Sequence, residues 1–315
     1  ITWNLNAPCL HTSWAARALK KPLPFITPTP LKKLKKPKLT TLKCSNLTDI
    51  GVNLTNDRFN KDRDAVIARA QHAGIHRQII TGTNLASSQQ ALQLSLDHGA
   101  ESQLYATAGF HPHSASENDT QSWVQLSQLW QHKNVLAIGE TGLDFNRNFS
   151  TPTAQLTSFE KHLQAAADIQ LPLFLHERDA ADAFLELLSD YRHQIDKAVL
   201  HCFTGTDVFL RQLLDLDIHI GITGWICDER RGGHLHDAVK LIPQNRLMLE
   251  TDAPYLLPRD MRPKPKSSRN EPAYLRHICQ RVAHYRGQSE GSLAQQSEAT
   301  VVEFFGFNST QEEIG

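Results

Sequence analysis

The chain has 315 residues, of which 40% are hydrophobic, and its formal net charge is zero. This composition provides a sizeable core for one large domain or two small ones. Its five cysteines form no CxxC pair and no apolar run approaches the ~18 residues of a spanning helix, which argues against a disulfide framework or a membrane span and favours a cytoplasmic setting.

Residues 1–48 differ in composition from the rest of the chain. They contain nine Lys or Arg residues, six Pro and no Asp or Glu, so the remainder carries a net charge of −9. We expect a disordered basic extension. A nucleic-acid-binding arm, an organelle transit peptide and sequence translated from upstream of the true start are all open, although the lysine bias fits a transit peptide poorly. We favour an extension without function.

From residue 48 onward, apolar runs alternate with segments of helical periodicity. The predicted strands are Thr48–Leu54, Arg77–Thr83, Leu104–Phe110, Val135–Glu140, Leu171–His176, Ala198–Phe203, Ile218–Trp225 and Arg246–Thr251. The predicted helices are Lys61–Ala73, Ser87–His98, Gln121–Gln131, Thr153–Ile169, Ala180–Leu188, Asp207–Leu216, Leu235–Leu241, Tyr274–His284 and Leu293–Phe305.

Eight such strand–helix units over ~250 residues predict an α/β fold, a TIM-like (β/α)8 barrel of residues 49–307, followed by a short tail, 308–315. The alternative is an open, doubly wound sheet. Such a sheet normally carries a glycine-rich phosphate turn after its first strand. Here the first strand runs from Asp49 to Leu54 without a GxGxxG motif, which favours the barrel.

Four candidate metal ligands follow short apolar runs at predicted strand ends: Glu140, His176, His201 and Asp252. The carboxyl ends of barrel strands meet at one mouth, where active sites lie. A carboxylate can bridge two divalent ions, and imidazole suits Zn, Mn, Fe or Ni. The alternatives are a surface glutamate, core histidines and, for Asp252, a helix N-cap. The recurrence at four strand ends favours a shared metal site.

Further candidates lie in the loops that follow these strands. His111 and His113 flank Pro112 and can reach a metal or a phosphate oxygen, although for His113 a structural role is equally favoured. Arginine suits bidentate phosphate contacts. The candidate arginines are Arg147, Arg178, Arg230, Arg231, Arg259 and Arg269. We expect His111, His113, Arg147 and Arg178 to bind substrate, because Arg147 follows Asp144 in a strand-end loop, Arg178 lies two residues after His176, and both histidines follow a predicted strand.

Taken together, these segments resemble the TatD family of metal-dependent deoxyribonucleases. The motifs are GFHPH at 109–113, IGETGLDF at 138–145, LH at 175–176 with Arg178 and Asp179, VLHCFTG at 199–205, LETDAPY at 249–255 and SRNEP at 268–272. The runs DFNRNFSTP at 144–152, ITGW at 222–225 and DERRG at 228–232 are similar to the branch that gives the family its name. The resemblance extends from about Asp49 to Gly306.

The resemblance implies hydrolysis of phosphodiester bonds by a divalent metal, with Glu140, His176, His201 and Asp252 as ligands and Asp252 and Glu140 as catalytic residues. Many members end the first strand in His-x-His, whereas this chain reads Gly51-Val52-Asn53. A second metal site must therefore rely on Glu140, Asp252 and, as a candidate, Asn53. One or two Mg²⁺ ions are expected, because a hard ion tolerates an oxygen-rich site completed by water; Mn²⁺ and Zn²⁺ are alternatives.

The leading hypothesis is a monomeric 3′→5′ exodeoxyribonuclease that acts on single-stranded DNA ends, with RNA ends also open. Polarity and single-strand preference are implied by the resemblance. A second hypothesis is a metal-dependent amidohydrolase or esterase, such as a D-aminoacyl-tRNA deacylase, because the same ligands can activate water toward a carbonyl. A third is a non-catalytic barrel that has lost its second metal site, which rests on the absent histidines.

Overall fold

The computed structural model describes residues 46–98 and 103–307. Within these ranges eight strands alternate with α-helices. The strands are β1 (Leu47–Val52), β2 (Ile75–Ile80), β3 (Leu104–Ala108), β4 (Val135–Asp144), β5 (Leu173–Arg178), β6 (Ala198–Leu200), β7 (His219–Ile222) and β8 (Leu247–Leu249). The helices are α1 (Arg63–His72), α2 (Leu85–Asp97), α3 (Thr120–Leu129), α4 (Pro152–Ile169), α5 (Ala181–Arg192), α6 (Asp207–Asp215), α7 (Leu235–Leu241), α8 (Leu275–Arg286) and α9 (Glu290–Phe305).

The strands form one parallel sheet in the order β1 to β8, each paired with the next in sequence. Two hydrogen bonds join its ends: the Asp252 N–H donates to Gly51 O at 2.9 Å, and the Asn53 N–H donates to Ala253 O at 2.8 Å. The sheet is therefore a nearly closed barrel, and the prediction of a TIM-like (β/α)8 fold is confirmed.

Apolar side chains fill the lower half of the barrel interior, toward the amino ends of the strands. This lower cluster consists of Ile50, Ile79, Ala137, Phe174, Val199 and Met248 from the strands, with Val301 and Phe304 from α9. The strand members are 0% exposed. Because side chains alternate between the two faces of a strand, the residues between them pack outward against the helices, in a second and larger cluster.

Helix α9 covers the amino ends of the strands. Glu298 on this helix accepts a hydrogen bond from Thr48 Oγ1 and pairs with Arg77, at the starts of β1 and β2. The Thr300 hydroxyl donates to Gln244 O, just before β8. The lower end of the barrel is thereby closed by a helix, which leaves the carboxyl ends of the strands as the open mouth.

Helices begin at the mouth, where polar side chains cap several of them. Asn84, Asp119, Thr151 and Thr206 precede α2, α3, α4 and α6, and each accepts a hydrogen bond from a backbone N–H in the first turn. Caps of this kind stabilise a helix by about 1 kcal/mol each. They also fix where each loop ends, and these loops carry the side chains of the mouth.

Strand β4 differs most from its prediction. It was expected to end at Glu140 but continues to Asp144, pairing with β5 on both sides of an irregularity. Gly139 and Gly142 permit this, since both have φ near +142° and a Cβ on either would lie within 2.2 Å of a β5 carbonyl oxygen. Glu140 consequently lies inside a strand, and His176 lies two residues before the end of β5.

The predicted extension, residues 1–48, lies outside the described residues except for its last three, and β1 already begins at Leu47. The predicted tail, 308–315, lies outside them as well. Among the residues that are described, every helix is too short or too polar to traverse a bilayer. Cys202, Cys227 and Cys279 have free thiols. The cytoplasmic setting remains a prediction.

Candidate metal centre at the barrel mouth

A cavity of about 750 Å³ opens at the carboxyl ends of the strands. Each of the eight strands, or the loop that follows it, contributes lining side chains. In strand order these include Asn53, Thr81, His111, Glu140, His176, His201, Trp225 and Asp252. The four predicted ligands therefore share one cavity with the predicted second-site residue and with His111.

Glu140 lies at the centre of this arrangement. Its Oε1 atom is 2.7 Å from His201 Nε2, 2.9 Å from His176 Nδ1 and 3.4 Å from His111 Nε2. His111, Glu140 and His176 each offer a ligand atom, and these three atoms lie within 4.8 Å of one another. His111 therefore lies within this candidate ligand group, whereas the sequence alone left open whether it reaches a metal or a phosphate oxygen.

The charges of this group depend on one another. Burial opposes the charged form of Glu140, but the charge of His201 and hydrogen bonds from His176 and His201 outweigh it and hold the pKa of Glu140 well below its usual range. Burial likewise opposes protonation of His201, yet Glu140 and Glu250 raise its pKa well above the usual value. Burial lowers the pKa of His111 to about 3, which leaves that imidazole neutral and able to donate a lone pair.

The residues fit a divalent cation. His176 Nε2 is buried and has no hydrogen-bond partner among the described residues. His176 Nδ1 and His201 Nε2 face each other at 3.5 Å, with the Glu140 carboxylate beside both. A cation that takes the place of protons here would give these lone pairs a partner, because ligating imidazoles must be neutral.

Glu250 orients His201 from behind and was missed from the sequence. Its Oε2 lies 3.3 Å from His201 Nδ1, and its Oε1 accepts a hydrogen bond from the Cys202 N–H. The side chain is 0% exposed. A carboxylate on the far nitrogen of a ligating histidine fixes the ring and strengthens the ligand. The sequence offered one signal for this role: Glu250 is an acidic residue at the end of an apolar run, and it lies two positions before Asp252, a spacing that in a strand places both side chains on one face.

Asp144 plays a comparable part on β4 and was also missed. Its Oδ2 lies 2.8 Å from His113 Nε2 and 3.7 Å from His176 Nε2, while its Oδ1 accepts from the Arg147 N–H. Burial opposes the charge of Asp144, but the nearby His176 imidazole and hydrogen bonds from the Arg147 N–H and His113 hold the pKa of Asp144 below its usual range. His113 is therefore bound to a carboxylate behind the cavity wall, while part of its ring still lines the cavity.

Asp252 lies on the β8 side of the cavity, outside the group around Glu140 Oε1. Asn53 Nδ2 donates to Asp252 Oδ1 at 2.9 Å, so the two predicted second-site residues are in contact. Burial raises the pKa of Asp252 to about 7, although the charge of His201 lowers it in part. The preceding Thr251 is anchored to buried Asp49, which accepts from its N–H at 2.9 Å and from its hydroxyl at 2.5 Å.

The six candidate arginines separate into two groups. Arg230, Arg231 and Arg259 pair with Asp228, and Arg269 pairs with Asp62 and Glu271. In contrast, Arg147 and Arg178 line the cavity, and neither guanidinium has an ion-pair partner within the described part of the chain. These two arginines are thus free to contact an anionic ligand, as the sequence suggested for both.

A second ligand-type group lies outside the cavity, where Cys227, Asp260 and His277 approach one another within 4.8 Å. Asp260 already has two partners, His277 Nε2 and Arg281 Nε, each at 2.7 Å. Burial raises the pKa of the Cys227 thiol, which keeps it protonated. With a guanidinium on the carboxylate and a neutral thiol, we interpret this group as a link between the loop after β8 and helix α8.

Comparisons with known proteins agree with this geometry. The family model of TatD-related DNases matches residues 48–306. The protein named 3′-5′ ssDNA/RNA exonuclease TatD from Escherichia coli K12 is 50% identical over 258 residues, which are 82% of this chain and 98% of that protein. The protein of the same name from Citrobacter rodentium is 51% identical over 258 residues, 82% of this chain and 97% of its own.

Solved structures show the same fold. A TatD family hydrolase from Entamoeba histolytica superposes with a TM-score of 0.75 at 25% identity, covering 83% of this chain and 98% of its own. A TatD homologue from Escherichia coli K12 gives 0.74 at 25% identity, covering 84% and 99%. These matches extend over the barrel and its mouth.

Proposed function

This chain belongs to the TatD family of deoxyribonucleases, and we propose that it is a metal-dependent 3′→5′ exonuclease of single-stranded DNA and RNA ends. It is a nuclease and a hydrolase of ester bonds, as its relatives named 3′-5′ ssDNA/RNA exonuclease are. The proposed substrate ends follow the names of these relatives, whereas the metal dependence and the residue roles below rest on the geometry of the mouth. We also propose that it acts as a monomer.

The proposal rests on one observation: a group that suits a cation and a group that suits phosphate share one cavity. Three imidazole nitrogens surround a single carboxylate oxygen of Glu140, and two arginines without ion-pair partners line the same cavity. The first arrangement suits a cation, and the second suits phosphate oxygens. A site with both attracts a metal and a phosphodiester to the same place.

We propose that Glu140, His176 and His201, joined by His111, hold one cation. Asp252, with Asn53 beside it, contributes oxygen atoms to a second position. The oxygen-rich Asp252 side favours Mg²⁺, while the imidazole side also tolerates Mn²⁺ or Zn²⁺. When bound, a divalent ion neutralises charge on phosphoryl oxygens and makes water more acidic.

The side chains then have distinct tasks. Arg147 and Arg178 hold the phosphates that flank the scissile one and place it in the cavity. Asp252 accepts a proton as water attacks phosphorus, and a pKa of about 7 makes its carboxylate a stronger base than an exposed aspartate. As the new bond from water to phosphorus forms, the bond from phosphorus to the 3′-oxygen breaks. Glu250 keeps the His201 ring oriented through its contact with Nδ1.

Digestion of single-stranded oligonucleotides tests the proposal. A 5′ label and a 3′ label on the same sequence distinguish the polarity, and Mg²⁺, Mn²⁺ and EDTA reactions test the metal. We expect 3′→5′ shortening that EDTA abolishes. Glu140→Gln should lose on the order of 10³-fold in rate, because metal stabilisation of the transition state is worth several kcal/mol.

The matched control is Glu186→Gln, on the exposed face of α5, which should leave the rate unchanged. Degradation in EDTA, or full activity of Glu140→Gln, would refute the metal mechanism. An aminoacyl-ester substrate is assayed in parallel. Ester hydrolysis without phosphodiester cleavage would replace the exonuclease with the deacylase alternative.

A further inference from the structure

Phe149 is exposed to solvent beside the candidate metal centre. Its side chain is 68% exposed, on the loop between β4 and α4. An aromatic ring in water forgoes about 2 kcal/mol of burial free energy. This free energy becomes available when a ligand with an apolar face covers the ring.

The loop that carries Phe149 is held firmly on both sides. The N–H groups of Asn146 and Arg147 donate to Asp144 Oδ1, and Asn148 Nδ2 donates to Phe145 O at 2.8 Å. Asn148 has φ of +50°, a left-handed conformation that turns the chain directly before Phe149.

On the other side, Ser150 is 2% exposed. Its hydroxyl donates to His113 O at 3.0 Å, and its carbonyl accepts from Gln155 Nε2 at 3.0 Å. The residues on either side of Phe149 are therefore anchored, and the ring is displayed by an ordered loop. A preorganised contact of this kind loses little entropy on binding.

Phe149 is also close to the candidate reaction centre. Its ring lies edge-on to that of His113, with centroids 4.8 Å apart. The His113 ring in turn lies 4.3 Å from that of His111, one of the ligand group. Arg147, which lines the cavity and has no ion-pair partner among the described residues, is two positions earlier on the same loop.

We propose that Phe149 is a stacking platform for one nucleobase of the single strand, on a nucleotide adjacent to the scissile phosphate. The inference rests on the proposed nuclease function and adds a contact to the base. Single-stranded nucleic acids are held by a combination of cations for the phosphates and aromatic rings for the bases. Here Arg147 and Phe149 present both from one loop, and a paired, stacked base could not offer its face in this way.

The test is a cycle of two changes, Phe149→Ala in the protein and an abasic nucleotide at each of the last four positions of a single-stranded oligonucleotide. Stacking contributes roughly 5- to 150-fold to binding. We expect Phe149→Ala to raise KM about 10-fold with kcat little changed, since a binding contact is lost. At one of these four positions, removing the base should raise the KM of the wild type but not the KM of Phe149→Ala.

Three further measurements sharpen the result. Phe149→Trp should restore KM, whereas Phe149→Leu should not, because a leucine lacks an aromatic face. The dependence of KM on salt should keep its slope in Phe149→Ala but become less steep in Arg147→Ala, because only the arginine neutralises a phosphate. Val124→Ala, at a 51% exposed apolar position on α3, is the matched control and should behave as the wild type.

Two outcomes overturn the inference while the nuclease remains active. One is an unchanged KM in Phe149→Ala. The other is that each abasic position raises KM by the same factor in the wild type and in Phe149→Ala. A change of mass in solution on Phe149→Ala, with unaltered kinetics, would assign the ring to a protein interface. If the wild type itself cleaves no oligonucleotide, the failure lies with the proposed function.

Discussion

The two halves of the barrel interior are built by the same strands but have opposite chemistry. In the lower half, Phe174, Val199 and Met248 belong to an apolar cluster with no exposed surface. Two residues further along the chain come His176, which lies on β5, and His201 and Glu250, which directly follow β6 and β8. Because residues two apart share a face, the side chain that follows each apolar core residue on the inner face is an ionisable one.

The difference shows how the barrel divides its tasks. Buried ionisable groups are costly unless each finds a partner, and in the upper half Glu140, Glu250 and the histidines satisfy one another. The apolar cluster of the lower half contains no ionisable side chain, and Phe304 of α9 belongs to it. We therefore expect substitutions in the lower half to change the free energy of unfolding, and substitutions in the upper half to change metal binding and catalysis.

The largest effect should come from the lower half. Phe304 is 2% exposed and packs edge-on to His219, with centroids 4.8 Å apart. Phe304→Ala should lower the free energy of unfolding by about 3–5 kcal/mol, since it removes a buried ring and leaves a cavity. Urea unfolding measures this, and Phe304→Leu is the milder control.

At low temperature, the folded fraction of Phe304→Ala should retain its nuclease rate and its metal affinity. A variant that is stable but inactive would break the comparison, because the lower half would then take part in the chemistry.

A smaller effect is expected from the upper half. Glu250→Gln keeps the shape but weakens the contact to His201 Nδ1, so metal affinity and activity should fall about 10- to 100-fold. Calorimetric metal titration and the oligonucleotide assay measure the two quantities, with Glu186→Gln as the control. If the metal affinity is unaltered, Glu250 contributes only to packing, as the residues of the lower half do.

The smallest effect concerns a charge on the outside of the barrel. A hydrogen bond from Arg269 lowers the pKa of Asp62 to about 2, below its ordinary value of 3.8. Its contribution to stability is thus present above pH 4 and lost as the pH falls through 2. Asp62→Asn should cost only about 0.5 kcal/mol at pH 7, since water screens the pair.

Thermal unfolding of Asp62→Asn at several pH values checks the sign. The gap to the wild type should close near pH 2. A gap of several kcal/mol at pH 7 would show that the outer ion pairs matter as much as the lower cluster, contrary to the division drawn above.

The sequence predicted the fold because strand and helix periodicities are local. All eight strands lie where apolar runs were found, and their order follows from parallel pairing. The grouping of Glu140, His176 and His201 was also predictable, because strand ends converge in a barrel. Their assignment as metal ligands remains a prediction that the proposed experiments test.

The sequence could not show which side chains from distant segments pair with one another. No local pattern indicates that Arg269 pairs with Asp62, 207 residues away, whereas Arg147 has no ion-pair partner within residues 46–98 and 103–307. The roles of Glu250 and Asp144 were hidden from the sequence because their partners, His201 and His113, lie in segments that follow other strands. The continuation of β4 past Glu140 was hidden by Gly139 and Gly142, which are typical of loops but here allow two backbones to approach closely.

Gly51 bears on any attempt to restore the imidazoles that this chain lacks on its first strand. A Cβ at position 51 would lie 2.2 Å from Glu250 Oε2, and one at Gly221 would lie 2.5 Å from Oε1. Grafting a histidine onto position 51 would therefore push away the carboxylate that orients His201. The new ligand would disturb an existing one, His201, so positions 51 and 250 must be redesigned as a pair.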